Sequence, residues 1–135
     1  MSVIFPSIDW LNELDAKLNN DERYADIAKK WEGDMIVVVE PEGNLKERMV
    51  FYLDLWHGKC RGVAMLKDPA EKQASFVLSA TYDNIKRIMT GKLDPMQAML
   101  TRKLSVKGNM AVMMRSVPTV LDFVRCCREI TKEIL

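Results

Sequence analysis

The sequence predicts an α+β fold built in two layers, and two observations predict it. The hydrophobic period changes from helical to alternating near residue 35 and reverts after residue 80. Each segment also has a single apolar side, as helices packed on one sheet require. Read in order, the segments run ααββββααβαα.

Ser7 is a helix cap, and Trp10, Leu11, Leu14 and Leu18 follow at helical spacing until Asn19 and Asn20 end the run. Asp21 caps a second helix, in which Tyr24, Ile27, Ala28 and Trp31 share a side and Gly33 is the stop. From Met35, MIVVVE is a β-branched strand, Pro41-Glu42-Gly43-Asn44 is turn chemistry, and MVFYLDLW is the returning strand of a hairpin. Asp54 marks the outer face of that strand. Met49, Phe51, Leu53 and Leu55 then face inward, and Tyr52 and Trp56 outward. His57-Gly58-Lys59 turns into CRGVAML, Lys67-Asp68-Pro69 closes it, and ASFVLSA points Phe76, Leu78 and Ala80 inward.

TYDNIKRIMTG reads as a helix carrying Ile85, Ile88 and Met89 and ended by Gly91; Asp94 caps PMQAML, with proline first. KLSVK alternates, with Leu104 and Val106 on one face. After Gly108-Asn109, MAVMMRS is helical, and a last helix over 118–134 carries Val120, Val124, Cys127, Ile130 and Ile134. No repeat or linker divides the 135 residues, so a single domain over 1–135 is expected.

Composition narrows the function classes. Twenty basic residues against nineteen acidic ones disfavour nucleic acid as a partner. The balance is uneven, since residues 1–82 hold ten basic and fourteen acidic side chains while 83–135 hold ten and five. No apolar run reaches the roughly 20 residues of a membrane span, and MSVIFPSIDW lacks the pattern of a signal peptide. A cytoplasmic protein with three reduced cysteines is the expectation.

Catalytic chemistry is hard to assemble. His57 is the sole histidine and sits in a turn. Cys60, Cys126 and Cys127 lack the spacing of a thiolate metal site, and the glycines form no phosphate cradle. Neither a catalytic residue, nor a metal, nor a cofactor is expected.

Ten methionines is many for this length, and six of them fall between residues 89 and 114. Flexible core filler and an adaptable cavity wall both use methionine in this way. Residues 88–114, IMTGKLDPMQAMLTRKLSVKGNMAVMM, contain Thr90-Gly91-Lys92, Pro95 and Ala98, Lys103-Leu104 and Gly108-Asn109-Met110. This succession resembles the signature stretch of the type-2 sterol carrier protein family. YLDLWHGKCRG and ASFVLSATYDNIKRI are similar to its second strand and to its fourth strand with the helix after it, and WEGDMIVVVEPEG to the opening strand of prokaryotic members. Arg102 departs from the pattern, standing where the family commonly has glycine.

The resemblance implies a five-stranded, mainly antiparallel sheet with helices over one face and an apolar tunnel between the layers. It also implies a long-chain lipid as partner: fatty acyl, acyl-CoA, isoprenoid or sterol. Candidates for the wall are Phe51, Leu53, Leu55, Phe76, Leu78, Leu104 and Val106 from strands, and Met89, Leu100, Met110, Met113 and Met114 from helices. Phe123 and Val124 extend the set if the terminal helix closes a tunnel, though the same helix suits a homodimer contact. Lys92, Arg102, Lys103 and Lys107 are candidates for an anionic headgroup or for transient membrane contact, and equally read as solvated charge. The rival reading is an interaction module with a closed core, accessory to a lipid-metabolising enzyme.

Overall fold

The structure, a computed structural model, describes residues 4–135; Met1 to Val3, the start of the stretch read for a signal peptide, lie outside the described residues. β1 (Ile4–Phe5) leads into α1 (Ile8–Asn20), which opens where Ser7 Oγ accepts the Trp10 amide (3.1 Å) and buries Trp10, Leu11, Leu14 and Leu18. Asp21 Oδ1 accepts the Tyr24 amide (2.9 Å) and opens α2 (Glu22–Ile27). This helix stops short of its expected end. The Trp31 amide bonds Ala28 O in a tight turn, so Trp31 lies beyond the helix rather than on its stripe.

β2 (Met35–Glu40), β3 (Met49–Trp56) and β4 (Lys59–Leu66) form an antiparallel meander. His57 and Gly58 make the second hairpin turn, both at positive φ (49° and 78°). Such a two-residue turn matches the twist of the strands it joins. A Cβ at Gly58 would meet Ala25 O at 2.5 Å, so glycine also lets the turn lie against α2. β5 (Phe76–Thr81) pairs parallel with β2, and β6 (Ser105–Lys107) pairs antiparallel with β5. The sheet order is β4-β3-β2-β5-β6.

β4 and β5 both run in the direction of β2, so residues 67–75 must recross the sheet. They do so over its back. Ala74 packs with Tyr52, Leu66 and Val77 against the buried trio Ile36, Val38 and Val50, and Lys72 Nζ stands 4.5 Å over the Tyr52 ring.

The helices lie on the front. Thr81, Asp94 and Asn109 cap α3 (Tyr82–Met89), α4 (Pro95–Leu100) and α5 (Met110–Arg115). Between α4 and β6, Arg102 occupies the left-handed region (φ 61°), the conformation for which glycine is the usual residue. α6 (Val117–Ile130) ends four residues before the expected position. Thr131 is extended, and its hydroxyl bonds Cys127 O (2.6 Å) while accepting the Trp10 indole N–H (2.8 Å). Ile134 therefore belongs to β7 (Glu133–Ile134), parallel to β1 with Ile134 opposite Phe5.

Candidate functional site

Strand alternation sends odd-numbered residues of β2 and β3 to the front. Met35 and Val37, then Phe51, Leu53 and Leu55, form the floor of a cavity of about 120 Å³, with Leu78 of β5 beside them. Above them α1 contributes Trp10 and Leu14, α2 contributes Tyr24, and α3 contributes Ile85, Ile88 and Met89. Phe5, Trp31, Met99, Leu104 and Met113 close the sides. α6 completes the roof with Thr119, Val120, Phe123, Val124 and Cys127.

Among the described residues no charged side chain lines this wall, and its titratable groups are held neutral. Burial pushes the Tyr24 hydroxyl and the Cys127 thiol above their usual ranges. Away from the cavity, burial likewise raises Cys126 to about 11 and Cys60 to about 12. His57 is in the hairpin turn, with Nε2 2.5 Å from Glu32 Oε2 and its ring stacked on Trp56. Such a cavity holds a guest by removing apolar surface from water.

The roof is tied to the remaining helices by charge. Arg125 of α6 donates from Nη2 to Asp21 Oδ1 (2.7 Å), from Nε to Asp122 Oδ1 (2.8 Å) and from Nη1 to Glu129 Oε2 (2.8 Å). Lys17 of α1 joins Asp21 (2.9 Å) and Glu129 (2.8 Å). The Arg125 guanidinium holds the Asp21 carboxyl well below the usual carboxylate range. Asp122 is only 4% exposed, so Arg125 also compensates a buried charge. Asp21, Asp122 and Cys126 lie close enough together to hold a metal ion, but Arg125 already supplies the positive charge between the two carboxylates.

The sequence-derived wall candidates divide. Phe51, Leu53, Leu55, Leu78, Met89, Leu104, Met113, Phe123 and Val124 line the cavity. Phe76 is buried but stacks on Trp31 (5.3 Å) beneath Gly108, away from the hollow. Val106 packs at the edge of the core, because β6 is the edge strand. Leu100 (68% exposed), Met110 (40%) and Met114 (42%) face outward, since α4 and α5 have six residues each and turn other side chains inward. The cations Lys92, Arg102, Lys103 and Lys107 are all exposed and do not touch the cavity; the β6 pleat turns Val106 in and Lys107 out. Sequence reasoning omitted Trp10, Leu14, Tyr24 and Trp31 from the wall, although their helical spacing had marked them as inward.

The model of the SCP-2 sterol transfer family matches residues 11–120. Among solved structures, a crystal structure of sterol carrier protein 2 is similar at TM-score 0.82 and 29% identity, covering 91% of this chain and 96% of that one. A conserved hypothetical protein from Thermus thermophilus, suggested to be a sterol carrier protein, also has TM-score 0.82 and 29% identity, with 93% and 88% coverage. Palmitated SCP2L2 from Aedes aegypti shares the fold at TM-score 0.60 and 12% identity, with 89% and 95% coverage. No curated protein matches the chain.

Proposed function

The chain belongs to the SCP-2 sterol transfer family, and from that premise we propose that it carries a long-chain lipid in the cavity between sheet and helices, without altering it chemically. The observation that carries the reading is the uncharged wall around about 120 Å³ of unfilled space. At roughly 24 cal/mol per Å³, leaving such a space empty costs on the order of 3 kcal/mol, which a guest recovers. The hollow resembles in size the roughly 150 Å³ apolar cavity that admits benzene, so a longer chain requires the wall to give way. Met35, Met89, Met99 and Met113 are the unbranched side chains that allow this. Each methylene buried adds about 0.8 kcal/mol, and burial alone discriminates weakly between lipids. Transient contact with a membrane provides for loading and delivery.

Native mass spectrometry after mild purification, followed by titration with fatty acids, acyl-CoA, isoprenoids and a sterol, tests the proposal. One lipid bound per chain is the expected result; indifference to all four classes overturns it. The modest size of the empty hollow favours one second reading, an interaction module accessory to a lipid-metabolising enzyme. A stable partner protein in the absence of lipid exchange would select that reading.

A further inference from the structure

The cavity has a neighbour. A second pocket of about 200 Å³ lies at the junction of α5 and α6, lined by Ile27 and Lys30 on one side and by Arg115, Ser116 and Pro118 on the other. Trp31 and Thr119 line both spaces, so they form the partition between them. Across this boundary Thr119 Oγ1 donates to Ile27 O at 3.3 Å, while Trp31 is held by its indole N–H on Gly33 O (2.8 Å) and by its stacking on Phe76.

The two spaces differ in charge. Among the described residues, the inner one is lined by no charged residue, whereas the outer one is lined by two cations and no anion. Neither Lys30 nor Arg115 has a carboxylate within ion-pair distance among the described residues, while Lys17, Arg23 and Arg125 are all paired. Two unpaired cations from different segments of the chain thus meet at the edge of an apolar hollow. That arrangement complements a molecule with an anionic head and an alkyl tail.

We propose that the outer pocket is a headgroup site, in which Lys30 and Arg115 hold the anionic oxygens of an amphiphile whose tail passes between Trp31 and Thr119 into the cavity. The inference rests on the carrier reading and sharpens its ligand class to acidic lipids over neutral ones. Sterols and alcohols of equal length gain the same burial in the cavity but nothing from the two cations.

The test compares hexadecanoate, hexadecanol and palmitoyl-CoA binding to the wild-type chain and to the Lys30→Gln/Arg115→Gln double variant. Both side chains are exposed, so the variant retains the fold. The wild type is expected to favour hexadecanoate over hexadecanol by roughly tenfold at low salt, and the variant to lose that preference with hexadecanol binding unchanged. Raising the salt concentration should erode the wild-type preference in the same way. Loss for hexadecanoate assigns a carboxylate to the pocket, and loss for palmitoyl-CoA alone assigns a phosphate; both support an anionic headgroup site. Equal binding of all three lipids to wild type and variant overturns it and leaves the carrier reading standing. Failure of the wild type to bind any of them removes the carrier reading and the headgroup site together.

Discussion

The two faces of the sheet are made by the same strands, yet one leaves a hollow and the other is sealed. On β2, Val37 looks into the cavity, while its neighbours Ile36 and Val38 are buried behind the sheet with Val50. The back is packed by Tyr52, Leu66 and Val77 of the strands and by Ala74 of the recrossing segment, which includes a single 3-10 turn at Pro69–Glu71. The front is roofed by helices that are linked to one another at their polar edges, where Arg125 and Lys17 join α6 to α1 and to Asp21. Alternation therefore decides which side chains share a face; what is fastened across from them decides whether the face fills.

Adjacent substitutions test this contrast most strongly. Val38→Phe is expected to cost about 2 kcal/mol through overpacking of the back, whereas Val37→Phe costs under about 1 kcal/mol because its ring enters existing space. Urea unfolding measures both. Val37→Phe should also lower lipid affinity by more than roughly tenfold, the tail losing the volume the ring takes. Equal costs at the two positions would break the comparison.

A smaller effect is expected from Asp21→Asn, which keeps the helix cap and removes the charge. The folded-state carboxyl lies below its unfolded value, so its contribution is present above about pH 4 and is lost as pH falls through the folded value. The variant should be about 1 kcal/mol less stable than wild type at pH 7, and the gap should narrow steadily as pH falls below about 4. Thermal unfolding against pH reads this out. Hydrogen exchange should show the loosening in α1 and α6 and leave Ile36 and Val50 protected.

The smallest effect lies away from both faces. Arg102→Gly relieves a left-handed residue and should raise stability by about 0.5 kcal/mol in thermal unfolding, with lipid binding unchanged.

Local chemistry was legible in the sequence wherever it acts between near neighbours. Ser7, Asp21 and Asp94 cap the helices they precede, and the α1 stripe and Phe51, Leu53 and Leu55 of β3 are buried as their spacing implies, while Met49 at the start of β3 is half-buried. The parallel pairing of β2 with β5 was not legible from alternation, which sorts residues within a strand and says nothing of which strand lies beside it. β1 and β7 are two residues long, too short for a pattern. Asp21 and Arg125 meet across most of the chain, so their link leaves no local trace. Of the clustered methionines, Met89, Met99 and Met113 reach the cavity, while Met110 and Met114 do not. Composition supplied the wall material, and helix phase over single turns chose among it.

The pairing of β1 with β7 sets Ile4 and Phe5 beside Glu133 and Ile134. Phe5 belongs both to that brief pairing and to the cavity wall, where it packs edge-on against Trp10 (4.7 Å). A two-residue ladder frays at far lower free energy than the central sheet. Amide hydrogen exchange is therefore expected to be faster at Phe5 and Ile134 than at Ile36 and Val50, and loss of that pairing would loosen the cavity wall beside Phe5.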